Sequence, residues 1–205
     1  MLPFLLSFET KQPRLVAISM NCVQKMIMNG AVAESSLATI ISVMRDDAEF
    51  GQDIQLKILQ TLLPLLTSYP SITGLLLGEV LLICLRLYSA KLPVVSNTAA
   101  ATLEQLVICC FDKVVTELQG ADAGTETSES FTNIASAQAT LKPFAKDAFL
   151  LFQDICLLTN GDAPEWLKIG AIPRPFGLEL VGAVLAAHHQ TFARACDLLL
   201  SALYY

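Results

Sequence analysis

Residues 71–89 read SITGLLLGEVLLICLRLYS. Apolar side chains surround this stretch almost completely, and only Glu79 and Arg86, seven apart, mark a narrow polar stripe. A helix that is hydrophobic all round is buried on several sides, in a core or in lipid. A membrane span needs roughly 20 consecutive apolar residues. The longest charge-free run, Ile58 to Gly78, is interrupted by Gln60, Pro64 and Pro70, and its Ser68–Ser71 segment reads as a turn. The expected reading of 71–89 is therefore the central helix of an all-α domain, with Leu76 and Ile83 in its core. Within it, Gly74 and Gly78 form a small-xxx-small spacing, read as close packing between soluble helices.

Working outward, the same period repeats. Pro13 suits a helix start. Leu15, Ile18, Cys22 and Met26 form an inward stripe, widened by Val16, Val23 and Ile27, and Asn29-Gly30 stops it. Ser35 or Ser36 caps a second helix with Leu37, Ile40, Ile41 and Met44 facing inward. Asp53 caps a third, with Ile58, Leu59, Leu62, Leu63 and Leu66 on one side and Pro64 inside it, where a proline kinks the axis.

Downstream, NTAAATLEQLVICCFDKVV (97–115) follows Pro93 and Asn97. Leu103, Leu106, Val107, Cys110, Phe111, Val114 and Leu118 fall on one face, and Thr102, Gln105, Cys109, Asp112 and Thr116 on the other. Ala99, Ala100 and Ala101 leave the helix start slim enough for a neighbour's backbone. Residues 119–140 lack periodicity and hold three acids and no base, which reads as a mobile acidic loop. A helix resumes near Pro143 and closes at Asn160-Gly161. Trp166 is expected to plug the proline-rich link PEWLKIGAIPRPFG, and two last helices span about 176–188 and 190–203. The predicted architecture is one domain, an armadillo-like right-handed stack of seven to eight helices, an α-solenoid. Both ends stop without the polar cap a solenoid terminus needs, so a fragment of a longer chain is expected.

Composition narrows the function classes. The chain is 54% hydrophobic and 16% charged, with mean hydropathy +0.56 and net charge −6. Soluble domains carry about 25% charged residues, so apolar surface is left for partners. A nucleic-acid partner is not expected, because no basic stripe is evident. Residues 1–118 hold 8 basic and 10 acidic groups, and 141–205 hold 5 and 6, a spread too thin for a polybasic membrane grip. The N-terminal MLPFLLSFETK has no basic n-region and reads poorly as a signal peptide. The six cysteines, at 22, 84, 109, 110, 156 and 196, form no CxxC. They read as buried thiols in a reducing, cytosolic compartment.

Candidate chemistry is sparse. His188 and His189 are adjacent, with Cys196 seven beyond His189. Neighbouring helical residues diverge by about 100°, so the pair cannot readily share a metal. The expected arrangement is one exposed and one half-buried imidazole. Cys109 and Cys110 diverge likewise, Cys110 into the core, and read as inert packing rather than a redox pair. Asp46-Asp47 reads as a solvated connection. No phosphate-binding glycine loop, nucleophile elbow or HExxH occurs. The chain is expected to be no enzyme and to need no cofactor or metal. Helix contact is the expected role, with Thr102, Gln105, Cys109 and Asp112 as the candidate partner-binding face.

LPFLLSFETKQPRLVAISMNCVQKMI, DIQLKILQTLLPLLTSYPSITGLLLGEVLLICLRLY, SNTAAATLEQLVICCFDKVV and PEWLKIGAIPRPFGLELVGAVLAAH together resemble the N-terminal region of the monensin-sensitivity-two family of Golgi proteins. That family is similar to the large Arf guanine-nucleotide exchange factors, and the shared region is the DCB (dimerisation and cyclophilin-binding) domain. The run Asp53–Val115 carries the most specific likeness. The resemblance implies a non-catalytic scaffold, cytosolic and peripheral on Golgi, trans-Golgi network and endosomal membranes. It implies self-association and contact with a Dopey-family protein and an Arf-like small GTPase. It also implies that the exchange module and the homology-upstream-of-Sec7 region lie outside this sequence. The alternative reading is a lipid- or membrane-surface-binding domain, which a basic rim beside exposed apolar residues would favour.

Overall fold

The computed structural model describes residues 2–46, 51–119, 141–169 and 171–203. Among them the elements are helical throughout: α1 Leu2–Glu9, α2 Pro13–Met28, a 3-10 turn Glu34–Ser36, α3 Leu37–Asp46, α4 Gln52–Ser68, α5 Gly74–Tyr88, α6 Pro93–Gln119, α7 Pro143–Asn160 and α8 Arg174–Leu203. The expected all-α class holds. The acidic segment, past Gln119, lies outside the described residues. The chain forms two compact units, Met1–Leu106 and Val107–Tyr205, and α6 runs from the first into the second.

In the first unit α2 packs on α4, α3 on α5, α4 on α5 and α1 on α2. The 71–89 reading is carried by α5, where Val80 through Leu85 are all buried. Glu79 is not left to water: its Oε2 accepts from Arg45 Nη1 of α3 at 3.0 Å. Leu76 is only half-buried, whereas Ile83 is fully enclosed. The alanine run, which lies inside α6 rather than at its start, does admit a neighbour at Ala99. Ala99 is fully buried, and the Cys84 thiol of α5 donates to its carbonyl at 3.3 Å.

Two glycine stops work as the sequence suggests. At the end of α2, Gly30 N–H donates to Ile27 O and Ala31 N–H to Met26 O, with Gly30 at φ +62. At the end of α7, Gly161 N–H donates to Leu158 O and Asp162 N–H to Leu157 O, with Gly161 at φ +92. Both are Schellman closures, which place their last-but-one residue in the left-handed region that glycine adopts without a Cβ clash.

Other boundaries differ from expectation. Leu2–Glu9 form α1, which buries Phe8 and links its Ser7 hydroxyl to Ser19 of α2. The 3-10 turn replaces a serine cap before α3, with no side-chain cap bond. The cap position of α4 is Gly51, two residues ahead of Asp53, which falls inside the first turn. α6 starts at Pro93 rather than after Asn97. Ser96 N–H already donates to Leu92 O, and Thr98 Oγ1 turns back to Val94 O inside the helix instead of capping it.

The stripe on α2 is rotated. Val16, Ser19, Met20, Val23 and Ile27 face the core, while Leu15 and Ile18 are exposed and Cys22 and Met26 half-buried. Apolar residues occur all round this helix, so the seat offered by α4 decides which stripe goes inward.

In the second unit α7 packs on α8. Gly177 marks a close approach, since a Cβ there would collide with Thr159 Oγ1. Glu117 at the end of α6 accepts the Ala145 N–H with Oε2 at 3.1 Å, so its carboxylate caps α7. The link after α7 is held by Asp154. Its Oδ1 accepts from Glu165 N–H at 2.8 Å, and its Oδ2 from Trp166 N–H at 2.9 Å and from Leu167 N–H. Leu167, not Trp166, enters the core; the indole is half-buried. The two last predicted helices form α8 with non-helical φ/ψ at His188, where the sequence reading ended one and began the other.

Candidate functional site

The four predicted contact residues lie along α6, whose inward face is Val95, Ala99, Leu103, Leu106, Val107, Cys110, Phe111 and Val114. Thr102 and Gln105 belong to the first unit, Cys109 and Asp112 to the second. Gln105 and Asp112 are exposed; Thr102 and Cys109 are half-buried. The outermost positions on the first-unit part of the strip are Ala101, Glu104 and Gln105.

Asp112 is engaged within its own unit. Its Oδ1 lies 3.5 Å from His188 Nε2, at ion-pair range but without a hydrogen bond. His188 is 7% exposed and stacks on Phe111 with centroids 5.7 Å apart; Phe111 meets Phe152 edge-on at 6.3 Å. His189 is exposed, and His188, at the non-helical point of α8, is buried rather than half-buried. The side chain of Cys196 lies outside the described residues. Among the described residues no His, Cys, Asp and Glu cluster could hold a metal ion.

One turn on from Cys109, Lys113 Nζ lies over the Phe144 ring, 5.4 Å from its centroid, with no hydrogen-bond partner among the described residues. Burial pulls its ammonium below the usual lysine range, and the ring face supplies a cation–π contact in place of water. Burial pushes the thiols of Cys84, Cys109, Cys110 and Cys156 up. The thiolate is the nucleophile, so these groups are poor ones at neutral pH. Among the five cysteines whose side chains are described, iodoacetamide is expected to label exposed Cys156 first and half-buried Cys22 and Cys109 more slowly. Cys84 and Cys110 should react only after unfolding. Peptide mass mapping over time checks the order, and fast labelling of Cys110 in the folded chain would contradict this packing.

Among the described residues one helix, Pro93–Glu117 of α6, is long and apolar enough to cross a membrane by length and composition, with mean hydropathy 1.4. Within the protein 39% of that stretch is buried. The site thus offers packed helix surface, with its inward side chains already satisfied by neighbours.

Comparison with known proteins agrees with this picture. Residues 1–118 match the family model described as Mon2/Sec7/BIG1-like, dimerisation and cyclophilin-binding domain. Residues 144–204 match a second model, Mon2/Sec7/BIG1-like, HUS domain. The expectation that the homology-upstream-of-Sec7 region is absent is thereby overturned: PEWLKIGAIPRPFGLELVGAVLAAH, read with the DCB likeness, falls in this second match. A Protein MON2 homolog of Xenopus laevis is 36% identical over 193 residues, and one of Homo sapiens 35% over 193; each alignment covers 93% of this chain and 11% of the relative. Protein MON2 of Saccharomyces cerevisiae is 30% identical over 207 aligned positions, covering 96% of this chain and 12% of the relative. The chain therefore spans about a tenth of the length of these curated relatives. No solved structure matches. With more than half of its residues under the first model and curated relatives at this identity, the chain belongs to the Mon2/Sec7/BIG1-like family.

Proposed function

We propose that this chain is a non-catalytic helical scaffold domain of a peripheral Golgi–endosome trafficking protein, which associates with itself and binds protein partners, a Dopey-family protein and an Arf-like small GTPase among them. The observation that carries this reading is the match of residues 1–118 to a domain described as a dimerisation and cyclophilin-binding domain. The same kinship supports a location on the cytosolic side of Golgi, trans-Golgi network and endosomal membranes.

The contact face we assign is the outer strip of α6, drawn from Thr102, Gln105, Cys109 and Asp112. Asp112 is opposite His188 and Cys109 is half-buried, so the strip is best tested at its exposed positions. Gln105→Arg with Ala101→Arg changes two exposed residues one turn apart. It should leave stability within about 0.5 kcal/mol, as surface changes do. Light scattering over a concentration series is expected to show the parent chain associating and the doubly substituted chain shifted to monomer by tenfold or more in concentration. Unchanged self-association, with unchanged capture of a Dopey-type protein and an Arf-like GTPase, would remove this strip as the binding surface.

A further inference from the structure

The side of α2 turned away from the core has a composition unlike the rest of the chain. Residues 10–33 hold Lys11, Arg14 and Lys25 and no acid, in a chain of net charge −6. The core side of α2 is Val16, Ser19, Met20, Val23 and Ile27. At about 100° per residue, the opposite side is Arg14, Ile18, Asn21 and Lys25, flanked by Leu15, Cys22 and Met28. Arg14 and Lys25 are exposed. Between and beside them Ile18 is 60% exposed, Met28 61% and Leu15 41%. α4 brings a fourth cation, because Lys57 Nζ donates to Asn21 Oδ1. Among the described residues, none of Lys11, Arg14 and Lys25 pairs with a carboxylate. The acids on the adjoining helices are Glu9, at the end of α1, and Asp53, at the start of α4. They are two charges against four.

We infer that this face is a docking surface for an anionic lipid bilayer. Charge complementarity selects the occupant: cations interleaved with apolar side chains suit the headgroup layer, where ammonium and guanidinium meet phosphate while Ile18, Leu15 and Met28 enter the acyl boundary. The few charges make the contact weak and salt-sensitive, because each basic side chain contributes modestly and the attraction fades within a Debye length. Such a surface supplies one of the several signals that stable peripheral attachment requires. It is independent of the α6 strip, so either assignment can fail alone.

The test is flotation of the chain with vesicles of phosphatidylcholine alone and of phosphatidylcholine with phosphatidylserine. The parent chain is expected to float with the anionic vesicles only, and to be released by high salt. Arg14→Glu with Lys25→Glu should weaken binding at least about tenfold, and Ile18→Ser several-fold. Arg86→Glu with Lys91→Glu makes the same change in net charge at exposed positions elsewhere in the first unit and should float like the parent. Circular dichroism checks folding, and Arg14→Gln with Lys25→Gln serves as the milder pair if the reversal disturbs it. The inference is overturned if the parent chain ignores anionic vesicles or if the α2 pair floats unchanged. It is also overturned if the control pair loses binding equally. The same holds if the α2 pair instead converts a dimer to monomer without any vesicle binding, which would make a second copy the occupant.

Discussion

Asp154→Ala is expected to destabilise the second unit by about 3–5 kcal/mol. The carboxylate is 1% exposed and takes three successive backbone N–H groups, of Glu165, Trp166 and Leu167. Hydrogen bonds to a charged group contribute about 1.5–3 kcal/mol each, and removing the acceptor leaves buried donors unpaired at a further cost. Asp154→Asn keeps the shape but turns an amide NH2 toward N–H donors, so it should cost less than alanine and still be measurable. Urea titration followed by circular dichroism gives the change. The chain's single tryptophan, Trp166, lies in the pinned link, and its emission should shift to the red in Asp154→Ala before the global transition. A midpoint within error of the parent, with unshifted emission, would mean that the link is held by Leu167 packing instead.

Helix content, the glycine stops and the identity of α5 as an enclosed helix were legible because each rests on local chemistry. Periodicity marks a helix wherever polar residues leave a gap in the apolar pattern, and Asn29-Gly30 and Asn160-Gly161 carry the stereochemistry of a Schellman closure in two letters. The face of α2 was legible only in part: Val16, Val23 and Ile27, read as widening the inward stripe, are buried, but the centre of the stripe was misplaced. Leu15, Ile18, Cys22 and Met26 form as good a stripe as Val16, Met20, Val23 and Ile27, and only the docking of α4 decides between them. The same misassignment hid the exposed basic and apolar side of α2, because it placed Ile18 inward.

Buried carboxylates were illegible for a related reason. Asp147 and Asp154 sit seven apart on α7, where an acid would ordinarily face water. Nothing in the local pattern says that three N–H groups from a link eleven residues on will enclose Asp154. At the candidate strip, the residue types and their helical spacing could be read. The approach of His188 to Asp112 could not, since it joins helices 76 positions apart in sequence.

Ile83→Ala is expected to cost about 2–5 kcal/mol, as removal of a fully buried branched side chain does where the surroundings relax only partly. Ile83 is fully enclosed, and its neighbours Leu81, Leu82, Cys84 and Leu85 are all buried, so no side of α5 at this level can collapse toward solvent to fill the void. The same helix contains its own controls. Leu75 is 82% exposed in its first turn, and Leu75→Ala should stay within about 0.5 kcal/mol. Leu76 is half-buried, so Leu76→Ala should fall between the two. The three midpoints in urea should therefore rank Leu75 near parent, Leu76 lower and Ile83 lowest. The ranking tests packing rather than hydrophobicity, because leucine and isoleucine lose nearly the same apolar volume on truncation and differ here in what surrounds them. Equal shifts for Leu75 and Ile83 would show that α5 is not enclosed as described, and the first unit would then need a different central helix.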